Sequence, residues 1–176
     1  MQKLTKEQLL GQYASGKRDF EQVDLSEVYL FEVDLPQINL KDSNLSAVHL
    51  PYANLSEANL ARSNLQDGQL GDTQLYGADL SLCKLQRANL SRANLRYANL
   101  RGADLSRANL YGADLYNADL SDADLRDADL RSANLEQANL DKANLAGSNL
   151  YRALFADLSK ALCSRTTKLP NGYQSE

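Results

Sequence analysis

From Ala88 to Leu145 the chain repeats one five-residue unit without a break: ANLSR ANLRY ANLRG ADLSR ANLYG ADLYN ADLSD ADLRD ADLRS ANLEQ ANLDK ANL. A period of five suits neither regular element. At about 100° per residue, an α-helix rotates successive leucines by roughly 140°, so no single face collects them. In a straight strand the side alternates at every residue, and a spacing of five throws every second leucine to the opposite face. The chain therefore has to turn once per unit.

With Leu as position i, the Ala at i−2 points the same way in an extended segment, while i−1 points outward. In this stretch i−1 holds only Asn or Asp, whose short side chains bond nearby backbone groups and stabilise turns. Positions i+1 and i+2 form the corner and hold Ser, Arg, Tyr, Gly, Asp, Asn, Glu, Gln and Lys. Two apolar columns face in and three polar columns face out. A short side followed by a corner closes most simply after four sides, so a coil takes about 20 residues and bonds to the next at roughly 4.8 Å. Leucine then stacks on leucine around a packed, dry interior, narrow enough to want Ala beside each Leu.

This pattern resembles the pentapeptide-repeat family, whose unit is written A(D/N)LXX. The resemblance implies an all-β solenoid, a right-handed quadrilateral β-helix; its hand follows from the family and from the right-handedness of crossovers in general.

The frame starts at Phe20, continues with Leu at every fifth position from Leu25 to Leu150, and is expected to close at Phe155, giving about seven coils. The expected segments are an N-terminal helical cap (1–17), the β-helix (18–157) and a C-terminal cap or tail (158–176). Thr5 to Gly16 reads as a short amphipathic helix, with Thr5 as N-cap, Gln8 as its capping-box partner and Leu9, Leu10 and Tyr13 as the apolar stripe. Such a helix would cover the open end of the solenoid. Early coils replace Ala by Val23, Val28, Val33, Ile38 and Val48, and place Pro36 and Pro51 at corners, where a fixed φ is welcome. The middle carries Gly68, Gln69, Thr73, Gln74, Cys83 and Lys84 in slots that later hold Ala, Asn or Asp, but the frame does not shift. After Phe155 the motif returns three residues late as Ala156, Asp157 and Leu158, and Leu169 to Tyr173 reads as a turn covering the C-terminal end. The chain is expected as a monomer, or as a dimer through that end.

A chain of 176 residues with no Trp and 3 Phe suits a narrow core. The net charge of −4 and a pI near 5.1 argue against general nucleic-acid affinity, which needs surplus Lys and Arg. No apolar run approaches the ~18 residues of a membrane span, and Met1 to Gly16 lacks the apolar core of a secretion signal, so the expected compartment is the cytoplasm. Cys83 and Cys163 lie about four coils, or ~19 Å, apart, well beyond disulfide reach. They are expected as two buried free thiols.

Nothing in the sequence assembles a catalytic or metal constellation, and neither enzymatic activity nor a cofactor is expected. His49 stands alone in an outward i−1 slot. Asp104, Asp114, Asp119, Asp124 and Asp129 share one slot type with Asn99, Asn109 and Asn134; a carboxylate needed for chemistry would not alternate with its amide. Charge does run in bands: −5 over residues 18–37 (Asp19, Glu21, Asp24, Glu27, Glu32 and Asp34 against Arg18), +3 over 78–97 (Lys84, Arg87, Arg92 and Arg96 against Asp79) and −4 over 118–137. Such bands either match a partner or simply keep the surface solvated.

Tyr76, Arg96 and Tyr116 fall one coil apart at i+1 with Tyr97 beside them; Arg92 and Tyr111 lie nearby. Tyr and Arg dominate interface hot spots, so these six residues are the expected contact surface for an unidentified protein partner, although corner tyrosines also serve to cover the edges of the leucine stack. The resulting reading is a non-catalytic scaffold. The alternative, implied by the resemblance, is a DNA mimic that binds or protects DNA gyrase, as some family members do. Seven coils span about 34 Å, along which duplex DNA presents ~20 negative charges. An arginine band in mid-rod and the lack of a projecting loop between repeats, a feature of some gyrase-protecting relatives, fit that alternative poorly.

Overall fold

The computed structural model describes residues 1–175. Its organising contact is a parallel pairing between residues twenty apart, repeated from Asp19 with Asn39 to Asn134 with Leu154. Four five-residue units thus make one coil. The inward leucines from Leu25 to Leu150 are all buried. Leu90, Leu110 and Leu130 follow the mutually paired Asn89, Asn109 and Asp129 and stand in one file.

Each corner is a turn in which the Leu carbonyl accepts from the N–H three residues on, as Leu50 does from Ala53 at 3.1 Å. From Gln22 to Arg152 every i+2 residue has φ between +52° and +76°, the left-handed value that type II turns require at that place. Only Gly77, Gly102, Gly112 and Gly147 relieve it with glycine. At the other corners the left-handed conformation costs about 1–2 kcal/mol, so something must offset it.

The offset is backbone satisfaction at nearly every position. The i−1 N–H donates to the preceding coil (Asn109 to the Ala88 carbonyl, 2.9 Å), while the i and i+2 N–H groups donate to the next coil (Leu110 to Asp129, 2.8 Å; Gly112 to Arg131, 2.9 Å). The i−2 N–H closes the turn. The remaining i+1 N–H has only the Asn or Asp side chain at i−1 to reach, as Tyr111 reaches Asn109 Oδ1 at 3.0 Å. That bond explains why the slot alternates between amide and acid: both supply the same acceptor. The asparagine amides also link coils, Asn109 Nδ2 donating to Asn89 Oδ1 at 3.2 Å. Where the acceptor is absent at His49, the corner residue is Pro51, which has no N–H to satisfy.

The irregular middle keeps the ladder because its inward polar groups are paired. Ser63 Oγ donates to the Leu40 carbonyl at 2.6 Å, Thr73 Oγ1 to Leu50 at 2.7 Å and Cys83 Sγ to Leu60 at 2.8 Å. Each reaches back one coil, so burying a hydroxyl there leaves no orphan.

At the N-terminal end, β1 (Gln2–Lys3) pairs in parallel with β2 (Val23–Asp24), a pairing that the repeat pattern does not announce. Helix α1 (Lys6–Ala14) follows, with Thr5 and Gln8 forming a capping box. It buries Leu9 against the core, and the Tyr13 hydroxyl donates to the Pro36 carbonyl at 2.7 Å.

Two expectations are corrected at the other end. Phe155 does not enter the stack: it is 69% exposed with φ +57°. Leu154 stands in the Asn/Asp slot before it, so the next corner has no side-chain acceptor and the frame slips. Pairing continues at shortened offsets, Asn144 with Leu162 and Asn149 with Lys168. Cys163 lies in this irregular turn and is only partly buried, unlike Cys83. The tail folds back as a tight turn, Gly172 N–H to the Leu169 carbonyl at 2.9 Å, with φ +90° at Gly172.

Candidate functional site

Corners stack on corners twenty residues apart, which decides which of the anticipated surface residues meet. At one corner the rings of Tyr76 and Tyr97 lie 5.4 Å apart and those of Tyr97 and Tyr116 5.6 Å, both edge-on. Tyr97 therefore bridges Tyr76 and Tyr116, which stand two coils apart. The Arg96 guanidinium sits over the Tyr116 ring at 4.4 Å and is anchored to Asp114 at 3.1 Å. The bond to Asp114 raises the Arg96 pKa further, so this cation is permanent. Tyr76 and Tyr97 are exposed and Tyr116 is half-buried. Edge-on aromatic pairs contribute about 0.5–1.5 kcal/mol, enough to hold the rings in place before anything binds.

Arg92 and Tyr111 do not join this group. They belong to the neighbouring corner, one side of the coil away. There Arg92 makes a two-pronged pair with Asp72, at 2.8 and 2.7 Å, and Arg131 lies over Tyr111 at 5.7 Å.

The same stacking pairs most of the mid-rod arginines with carboxylates. Arg62, Arg87 and Arg92 pair two-pronged with Asp42, Asp67 and Asp72 of the preceding coil, holding those carboxyls below the ordinary aspartate range. Arg101 and Arg107 face Asp122 and Asp127 of the next coil at 3.5 and 3.8 Å, and Arg126 and Arg131 fold onto their own-side Asp124 and Asp129. A count of charge per coil misses the cross-coil pairs, because their partners sit in different coils.

The sequence reading also passed over a second aromatic group. Tyr29 and His49 occupy one i−1 column and stack at 4.1 Å, nearly parallel at 10°; Phe31 and Tyr52 meet edge-on at 5.8 Å on the adjoining corner. The signal was available: two aromatic residues twenty apart in a slot given mostly to Asn or Asp.

Among the described residues, no group of three His, Cys, Asp or Glu side chains converges as a metal site. Burial pushes the Cys83 thiol up to about 12, which leaves it without nucleophilic character at neutral pH. A cleft of about 200 Å³ is lined by Gln86, Arg87, Ser106, Arg107, Arg126 and Asp127; the Ser106 hydroxyl donates to Asp104 Oδ1 at 2.7 Å, the acceptor that also receives its own N–H in the corner ladder. Among the described residues, no helix is long and apolar enough to cross a membrane.

The family model described as "Pentapeptide repeats (8 copies)" matches residues 83–122 and 118–157, and that described as "Pentapeptide repeat region" matches 18–95. Among solved structures, the chain is similar to trypsin-treated QnrB1, a plasmid-mediated fluoroquinolone resistance protein, at 14% identity and a TM-score of 0.57, covering 83% of this chain and 81% of that one. It is also similar to HetL, a protein involved in heterocyst differentiation regulation in the cyanobacterium Nostoc. The identity is 28%, over 98% of this chain and 100% of the other, with a TM-score of 0.33. Rfr23 of the cyanobacterium Cyanothece is 25% identical over 90% of this chain and 96% of its own, with a TM-score of 0.45. No curated protein matches the sequence.

Proposed function

Because the chain belongs to the pentapeptide-repeat family, whose members wind right-handed quadrilateral β-helices, we propose that it is a non-catalytic scaffold presenting a preformed surface to a protein partner. In this reading it is a rod of about seven coils, closed at its N-terminal end by α1. The contact surface is the corner of Tyr76, Arg96, Tyr97 and Tyr116, with Arg92 and Tyr111 on its flank. One observation carries the reading: three tyrosines and an arginine, the residue types that dominate hot spots, are locked together on an exposed edge by ring contacts and the Asp114 anchor. A rigid patch loses little side-chain freedom on binding, which favours affinity.

The compartment proposed is the cytoplasm, since both thiols are free. Leu154, Phe155, Leu162 and Tyr173 are exposed at the C-terminal end, and a second copy would pair there; light scattering distinguishes monomer from dimer.

The test is affinity capture from the native cell extract with the unaltered chain, a Tyr97→Ser/Arg96→Ala variant and a Tyr151→Ser control. A partner lost only with the first variant supports the reading, and identical capture by all three rejects it. The gyrase-mimic alternative rests on resemblance, the likeness to QnrB1 being one of fold alone. A supercoiling assay decides it: inhibition or protection of gyrase at micromolar protein would displace the scaffold reading.

A further inference from the structure

The aromatic group of the first two coils stands apart from the tyrosine corner in both place and chemistry. Tyr29 is 68% exposed, Phe31 50% and Tyr52 54%, yet the rings are ordered against one another, Tyr29 on His49 and Phe31 against Tyr52. The leucine stack is already closed beneath them, with Leu30 and Leu50 buried. These rings therefore do not seal the core.

Their surroundings belong to the most acidic coil of the rod, −5 over residues 18–37. Glu27 and Glu32 occupy the corners on either side of Tyr29, and neither meets a cation among the described residues. Arg92, farther along the corner of Phe31 and Tyr52, is held by Asp72, and Asp34 is engaged by the Asn54 amide. Farther along, arginines repeatedly find a carboxylate; here two carboxylates are left over. The sheet edge is open at the same spot. β1 pairs only with Val23–Asp24, and the Tyr29 backbone N–H and C=O have no partner among the described residues.

An aromatic face attracts cations, and a planar guanidinium stacks on it better than an ammonium does. Unpaired carboxylates beside the rings add the matching counter-charge, and an open edge accepts an extended backbone. From this juxtaposition we infer that the face formed by Tyr29, His49, Phe31 and Tyr52, with Glu27 and Glu32, is a docking surface for an extended, arginine-bearing segment of a partner polypeptide. It is independent of the tyrosine corner and stands whether or not that corner binds anything.

The experiment titrates the full chain into fluorescein-labelled peptides of alternating arginine and serine, with lysine and citrulline versions as controls, and reads anisotropy at low and high salt. Citrulline keeps the shape of arginine without its charge. The arginine peptide is expected to bind about tenfold more tightly than either control, and more weakly at high salt. Tyr29→Asn is the informative variant, because Asn is the ladder's own residue in that slot and supplies the acceptor that the Phe31 N–H lacks. It should fold at least as well by circular dichroism and lose about tenfold in affinity. Glu27→Gln/Glu32→Gln should flatten the salt dependence, while Tyr97→Ser should change nothing.

Equal binding of the citrulline peptide would make the face a neutral apolar site and overturn the inference. Equal binding of the lysine peptide, or full binding by Tyr29→Asn, would reduce it to general attraction by an acidic surface. A peptide-free dimer that Tyr29→Asn dissolves would assign the face to a second copy instead. Partner capture unchanged by the Tyr97→Ser/Arg96→Ala variant, with arginine binding intact, would remove the tyrosine-corner reading and leave this inference standing alone.

Discussion

Between Val23 and Cys83 the inward slot beside each leucine holds Val, Ile, Ser, Gly, Thr, Cys or Ala, whereas from Ala88 to Ala143 it holds Ala alone. The backbone does not register the difference. Leu50 donates to Gln69 and Leu90 to Asn109 at the same 2.7 Å, and the left-handed corner persists through both regions. Register is thus carried by the leucine file and the corner hydrogen bonds, while the neighbouring slot is filled to local need. In the regular region any coil resembles the next. In the irregular one, neighbours compensate: Val48 is followed one coil later by Gly68, and inward hydroxyls take carbonyl partners one coil back.

Removing what the two regions share should have the largest effect. Leu100→Asp deletes about 2 kcal/mol of apolar burial and places an unpaired carboxylate where no partner exists, a further several kcal/mol. Since every coil is stabilised mainly by its neighbours, the expected outcome is loss of cooperative unfolding in a circular dichroism melt. A native-like melt would mean that the leucine file does not carry the register.

The compensation in the irregular region can be broken with one methyl group. Gly68 has no left-handed φ, so its glycine is a matter of room: a Cβ there would lie 2.9 Å from the Leu65 carbonyl oxygen and 2.9 Å from Leu70 Cδ1. Gly68→Ala should cost about 1–3 kcal/mol by overpacking, measured by urea titration. The same substitution at Gly112, whose Cβ would meet only the Arg92 side chain at 3.6 Å, tests corner strain instead of space. Equal effects at both sites would refute the distinction.

Thr73→Val keeps shape and removes the hydroxyl. The Leu50 carbonyl still accepts from Ala53, so no buried acceptor is orphaned and the expected loss is about 1 kcal/mol. A loss near that of Gly68→Ala would show the inward hydroxyls to be structural keystones and not space-fillers with a satisfied donor.

The pentad was legible because its period excludes both helix and strand, and because Asn/Asp interchange marks a backbone acceptor. What escaped had no period. The pairing of β1 with β2 joins Gln2–Lys3 to Val23–Asp24 outside the repeat frame, and the exposure of Phe155 follows from one residue, Leu154, replacing the corner acceptor. The tyrosine corner was legible as a column but not as a contact: Tyr97 bridges Tyr76 and Tyr116, while Arg92 and Tyr111 turn to another corner. The Tyr29–His49 stack was visible only on asking which i−1 residues are not Asn or Asp. The mid-rod charge bands misled because Arg62, Arg87, Arg92, Arg101 and Arg107 pair across coils, with residues that a coil-by-coil sum assigns to different bands.

That cross-coil pairing predicts the smallest effect. Arg101 faces Asp122 at 3.5 Å with both side chains well exposed, and pairs of this kind are worth about 0–1 kcal/mol. Arg101→Asp turns an attraction into a repulsion beside Asp122 while leaving the corner backbone untouched, because the Asn99 side chain still receives the residue 101 N–H. The urea midpoint should move only slightly, and the shift should shrink as salt is added. A shift that persists in high salt would mean that this arginine packs its stem against the rod, and that the exposed corners carry more of the stability than their ion pairs.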